Sequence, residues 1–417
     1  MSLPPSTTDA RNGRWLVLAG ILLAAFNLRT AVTSLTPLLD VLGEAFGFGS
    51  MMTGVLGMAP TAAFAVAGVL TPALGHRIGL ERTALLAMAL AAAGLLARAL
   101  VGGAGGLLAT NTLALVGMGI GNVVLPPLVK RYFADRVGAL STAYITVLQL
   151  GTMLPALAAV PLADAAGWRV SLGAWSLVAV AAALPWIGVL MKERQAGTTL
   201  SRLHDAAVQA GDEAPELAAP APAGRVWRTS LGWSMAVMFG MTSLISYSMF
   251  TWLPRLLVEA GASRAFGGVM VALFSALGLV SALSMPILAT RMRNPFPLVL
   301  ACTLAYLGAF AGLLWAPMQA PVLWVILLGL GPSTFPLTLT LINLRTRSPQ
   351  AATALSGFMQ GVGYAFSCLG PLLFGWLHAL THRWEAPFAF LLLCAALVLI
   401  SAWFACKPQY LEDRWHA

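Results

Sequence analysis

Twelve stretches of this 417-residue chain stay apolar for about twenty residues at a time, and that pattern permits very few folds. They lie near residues 15–39, 51–74, 83–101, 106–128, 139–162, 170–191, 231–257, 265–290, 295–315, 320–343, 351–377 and 386–406. A helix rises 1.5 Å per residue, so each stretch is long enough to cross about 30 Å of hydrocarbon. In that medium every backbone N–H and C=O must be satisfied within its own segment, and helices satisfy them. Hydrophobic residues make up 59% of the chain and charged residues 9%, where a soluble domain carries about 25% charge. The expectation is an all-α polytopic membrane protein. The first stretch lacks a cleavage-site pattern and is too long for a signal peptide, so it is expected to remain as a helix.

The net charge of +9 does not indicate a nucleic-acid partner. The basic residues are scattered singly through short loops, without the continuous face that phosphate tracking needs. Their distribution reports topology instead. If the N-terminus is cytoplasmic, the inside loops hold eighteen of the 24 Lys and Arg. Only Arg169, Arg255, Arg264 and Arg383 fall outside. That asymmetry places both termini inside. Arg29 and Arg98 are the two basic residues left within the spans. The four cysteines, Cys302, Cys368, Cys394 and Cys406, show neither CxxC spacing nor a nearby His, and they read as packing residues.

An acidic, Pro/Ala-rich stretch centred on Asp212 to Pro222 divides the chain. It gives an N-terminal unit at 1–191, a cytoplasmic linker at 192–230 and a C-terminal unit at 231–417, each unit with six spans. The units are repeats. A shift of 214 residues lays Gly54 on Gly268, Val55 on Val269, Pro72 on Pro286, Leu74 on Leu288 and Arg77 on Arg291. A shift of 210 lays Gly121 on Gly331, Pro126 on Pro336 and Pro161 on Pro371. Gln149 and Gln360 correspond within one residue. Six is even, so the halves share one orientation and are related by an axis along the membrane normal. Rocking of one half on the other, with alternating access to a central site, is the expected mechanism.

This arrangement resembles the major facilitator superfamily over essentially the whole chain. The superfamily's signature between its second and third spans reads G-x-L-A-D-R-x-G-R-K. Here it is Pro72-Ala-Leu-Gly-His-Arg-Ile-Gly-Leu-Glu81. Leu74, Arg77 and Gly79 match, whereas His76 stands where the Asp belongs and Pro72 replaces the Gly. By that resemblance His76, Arg77 and Gly79 belong to a cytoplasmic gating loop. The segment Phe26 to Leu39, FNLRTAVTSLTPLL, is similar to the opening of the CynX/NimT family of cyanate and 2-nitroimidazole transporters. The multi-pass topology and the use of three Lys against twenty-one Arg, a bias of GC-rich bacterial genomes, lead to the expectation of the bacterial cytoplasmic (inner) membrane, and the superfamily resemblance implies a monomer among membrane lipids.

Arg29 is the most informative single residue. It lies about 20 Å into the first span, where an unpaired guanidinium costs several kcal/mol unless it faces a polar cavity. Its planar fork of donors suits a small anion. On a continuous helix Asn27, Thr30 and Ser34 share one face, and Arg29, Thr33 and Thr36 form an adjacent stripe. In the superfamily the first, fourth, seventh and tenth spans line the cavity. They offer Asn111 and Asn122, then Ser243, Ser246, Tyr247 and Thr251, then Ser333, Thr334, Thr338 and Asn343. Gln149 and Gln360 are repeat-related amides with Tyr144 and Tyr364 nearby. The candidate solute-binding set is Asn27, Arg29, Thr33, Asn122, Tyr144, Gln149, Tyr247, Gln360 and Tyr364. Arg98, close to the outer end of the third span, is expected to snorkel to the interface.

All fifteen Asp and Glu fall in loops, tails or the outermost turns, so proton coupling has no obvious carrier. No P-loop, HExxH, GxSxG or clustered His/Cys set occurs, so no cofactor, metal or catalytic residue is expected, nor enzymatic activity. The reading is a secondary or facilitative transporter of a small polar or anionic, cyanate-like solute. The alternatives are an exporter of neutral nitroheterocycles or other drugs and, remotely, a solute sensor built on a transporter fold.

Overall fold

Apolar runs of about twenty residues fold as helices because a helix satisfies every backbone group within its own segment in lipid. The computed structural model describes residues 7–133, 136–195, 223–347 and 349–414. Most of the 192–230 linker lies outside the described residues. Among them are twelve helical spans and no strand. The second to fifth spans contain Ser50–Ile78, Leu80–Ala97, Ala104–Tyr132 and Val137–Ala166. The seventh, eighth and eleventh contain Ser230–Glu259, Arg264–Thr290 and Pro349–Thr381. Among the described residues three spans are broken. The first runs Thr7–Asn27, Thr30–Leu35 and Leu39–Phe46, the sixth runs Trp168–Gly173 and Trp175–Gln195, and the tenth runs Pro321–Leu330 and Thr334–Leu344. Pro37 and Pro332 lie at the interruptions of the first and tenth, where a missing N–H removes a helix bond.

Within the first half the third span packs on the fourth and sixth, and the first on the fifth and sixth. Small residues allow this. A Cβ at Gly117 would lie 2.5 Å from the Ala87 carbonyl oxygen, and one at Gly151 would overlap the Phe26 carbonyl. Within the second half the seventh span packs on the eleventh and twelfth around one continuous apolar core. All four cysteines are free, and Cys302, Cys394 and Cys406 are buried.

The halves meet along two seams related by the sequence repeat: second span against eleventh, and fifth against eighth. Gly54 and Gly268, repeat mates, sit one in each seam. A Cβ at Gly54 would lie 3.0 Å from the Leu372 Cα, and one at Gly268 would lie 2.7 Å from the Ala156 carbonyl oxygen. Ion pairs cross at the same end of the molecule. Arg264 donates to Glu44 at 2.8 Å, and Arg255 lies 3.9 Å from Asp40 while donating to Ser50 at 3.2 Å. The seams close one end of the space between the halves and leave the other open.

At the open end, Arg345 follows the tenth span and donates to the carbonyls of Ala405 and Cys406 at the end of the twelfth. A guanidinium there satisfies orphan helix carbonyls. Burial lowers the Arg345 pKa and pushes the Cys406 thiol up to about 12.

Candidate solute-binding chamber

The break in the first span builds the site. Asn27 and Thr30 bond each other, Thr30 Oγ1 donating to Asn27 Oδ1 at 2.5 Å. Short polar side chains of this kind compete with helical backbone bonds. Arg29 adopts φ −128°, ψ −4°, and its carbonyl accepts from both Val32 and Thr33, at 3.1 and 3.2 Å. Non-helical backbone at this depth is tolerated where it lines a cavity.

Here it does. Between the halves lies a chamber of about 1110 Å³, lined by both. Its lining reaches Val69, Pro286 and Asn343 near the end that carries both termini. Arg29 is the sole charged residue in that lining among the described residues. Its guanidinium stands over the Phe64 ring at 4.7 Å, a cation–π contact worth about 0.5–2 kcal/mol depending on desolvation. Its Nη1 is buried without a hydrogen-bond partner, and no ion pair to Arg29 occurs among the described residues. Tyr144 and Tyr364 lie within electrostatic reach of it. Gln149 crosses between halves, its Nε2 donating to the Ser275 carbonyl at 2.8 Å, and Gln360 donates to Ser356 Oγ at 2.8 Å.

Of the candidate residues, Arg29, Thr33, Asn122, Tyr144, Gln149, Tyr247, Gln360 and Tyr364 line the chamber. Asn27 does not. It is fully buried against Thr30, because the helix breaks between them and turns that face away. The tenth span departs from expectation in the same way. Ser333 bonds Ser281, Thr334 bonds Thr242, and Thr338 back-bonds to the Thr334 carbonyl, so the lining residues there are Phe335, Leu339, Thr340 and Asn343. The aromatic lining, Phe64, Phe250, Phe274 and Phe335, was not singled out from the sequence. In a chain so rich in apolar residues, a ring facing a chamber reads like a ring in the core.

Arg98 corrects the snorkelling expectation, for it is completely buried. Nη1 donates to the Ala31 carbonyl at 3.0 Å and Asn111 Oδ1 at 3.2 Å, and Nη2 donates to Ser34 Oγ at 2.7 Å and the Leu172 carbonyl at 3.1 Å. The third span ends at Ala97, and Arg98 turns inward to acceptors on the first, fourth and sixth. Asn111 thus serves Arg98 and not the chamber. The arginine holds the segment just after the Arg29 break.

In the loop signature, Arg77 is exposed and Gly79 has φ +86°, a conformation that favours glycine. The His76 side chain lies outside what is described. Glu81, at the end of the signature, was missed. It is 5% exposed, accepts from the Tyr132 hydroxyl at 2.7 Å and lies 3.3 Å from Arg131. It ties the start of the third span to the end of the fourth.

The sequence profile of the Major Facilitator Superfamily matches residues 21–368. The chain belongs to this superfamily. Among superfamily relatives, it is 31% identical over 387 residues to the 2-nitroimidazole transporter of Escherichia coli (strain K12), spanning 92% of this chain and 93% of that one. It is 30% identical over 405 residues to the cyanate transport protein CynX of the same organism, spanning 96% and 99%. A bacterial homologue of the human lysosomal transporter Spinster, solved in an inward-facing, occupied conformation, superposes with a TM-score of 0.71 at 14% identity over 99% of each chain. That likeness carries the major facilitator fold alone. The chain is a twelve-span membrane transporter, related to cyanate and nitroimidazole carriers and not to enzymes.

Proposed function

We propose that this transporter moves a small anionic solute by alternating access, with Arg29 as the central charge. The observation that carries the reading is a guanidinium held by a helix break in a chamber that no carboxylate lines among the described residues, where its Nη1 is buried and unpartnered. A buried charge left so is costly, and a bound anion removes the cost. The basic-residue asymmetry supports both termini being cytoplasmic. The chamber then opens inward, with the glycine seams as the outer closure. The relation to bacterial carriers supports residence in the bacterial inner membrane as a monomer, with membrane lipid and the solute as its partners.

Among the described residues no Asp, Glu or His lines the chamber, so a solute that carries its own proton, or facilitated diffusion, suits the site better than a proton-relaying side chain. A second reading, export of a neutral nitroheterocycle, draws on the ring-rich lining and on the relative that carries 2-nitroimidazole. Counterflow in reconstituted vesicles tests the choice, using cyanate and 2-nitroimidazole with wild type, Arg29→Lys and Arg29→Ala. Arg29→Ala is expected to abolish anion counterflow and Arg29→Lys to retain part of it. Undiminished anion transport by well-inserted Arg29→Ala protein would refute the reading. Arg29-independent transport of 2-nitroimidazole alone would favour the second.

A further inference from the structure

Resting on the reading of the chamber as an anion site, we propose that its solute is an aromatic monoanion: one acidic group on a flat unsaturated ring, not a triatomic inorganic ion. The charge count sets the first limit. Among the described residues one permanent cation lines the chamber and no carboxylate does, so one negative charge is balanced and a second would stay buried without a partner.

The donors set the second. Besides Arg29, Tyr144, Tyr247 and Tyr364 line the same space. None of their hydroxyls bonds to protein among the described residues. Phenolic O–H groups on both halves can therefore converge on the oxygens of an acid, with the forked guanidinium between them.

The rings set the third. The Arg29 guanidinium stands over the Phe64 ring at 4.7 Å, and both residues line the chamber. A flat ring joined to the bound acid extends that stack, since guanidinium planes attract π-faces and aromatic rings prefer offset or edge contacts with one another. Phe335 supplies a further ring in the second half. A triatomic ion at Arg29 would use none of this surface. A chamber of about 1110 Å³ would leave it largely hydrated, whereas sites of several hundred Å³ or more ordinarily enclose ring-sized solutes.

The test is a binding series on the purified full chain by calorimetry. The probes are benzoate, cyclohexanecarboxylate (same charge, no π-face), benzamide (same ring, no charge) and cyanate (charge without a ring). Benzoate is expected to bind about tenfold tighter than each of the others. Phe64→Leu is expected to narrow the gap between benzoate and cyclohexanecarboxylate at least about threefold. Cyclohexanecarboxylate or cyanate binding as tightly as benzoate would overturn the aromatic requirement while leaving the anion reading intact. Benzamide matching benzoate, with benzoate affinity unmoved by Arg29→Ala, would overturn the anion reading itself. Failure of all four to bind protein with an intact melting transition would overturn both.

Discussion

The two arginines inside the membrane should behave oppositely when removed, and Arg98→Ala is the sharper experiment. Arg98 is fully buried and makes four hydrogen bonds to three other spans. Interhelical hydrogen bonds in membrane proteins average about 0.6 kcal/mol and reach about 1.7, so four contribute about 2.4 kcal/mol at the average. The donor is charged, and truncation strands buried acceptors such as Asn111 Oδ1 and the Leu172 carbonyl, which pushes the loss towards about 3–5 kcal/mol. A loss near 3 kcal/mol lowers the melting temperature by about 5 °C in a protein of this size. Arg98→Lys keeps the charge but not the planar fork, and should recover about half of the loss. Arg29, whose guanidinium stacks on Phe64 but makes no protein hydrogen bond among the described residues, is the control: Arg29→Ala should stay within about 2 °C of wild type. The assay is thermal unfolding in detergent followed by tryptophan fluorescence. If Arg98→Ala melts within about 1 °C of wild type, Arg98 is not the clamp its geometry describes.

Other sites give equally direct expectations. Gly151→Ala would drive a methyl into the Phe26 carbonyl and should cost about 1–3 kcal/mol. Gly357→Ala, with nothing within 4 Å of its Cβ position, should leave the melting temperature unchanged. Glu81→Ala removes the acceptor for Tyr132 and the partner of Arg131 and should cost about 1–3 kcal/mol, read as a lower melting temperature, with Glu81→Gln intermediate. With no carboxylate or imidazole lining the chamber among the described residues, counterflow of a fully ionised solute should stay flat between about pH 6 and about pH 8. A sigmoidal step there would point to a titrating group the chamber lining lacks. Cys406, held protonated by burial, should resist maleimide labelling in the folded protein at about pH 7.5 and react after unfolding.

The twelve spans were legible because hydropathy over twenty residues is a strong signal. Arg29 was legible because a charge so deep in an apolar run is expensive. What failed was local continuity. Treating the first span as one unbroken helix placed Asn27 beside Thr33, yet the Asn27–Thr30 bond and Pro37 bend the chain so that only part of the polar stripe reaches the chamber. Arg98 was misplaced for a related reason. Distance along the third span put it near the interface, but nothing in the linear sequence showed that carbonyls of Ala31 and Leu172 would converge on it. The pairing of Glu81 with Arg131 and Tyr132 was equally invisible, being set by how the third and fourth spans lie together. Periodicity reports which face is polar; it does not report where a helix stops being a helix.

The closed end of the molecule joins two materials with different responses. The Glu44–Arg264 pair is open to solvent, at 70% and 44% exposure, so it contributes about 0.2–1 kcal/mol and fades as ionic strength rises. The backbone contacts at Gly54 and Gly268 are dry, short-ranged and indifferent to salt. Brine on that side would therefore soften the rim without prising the halves apart. On the proposed alternating-access reading, release of the closure comes from within, when occupancy of the chamber changes which of the two tilts the paired bundles prefer.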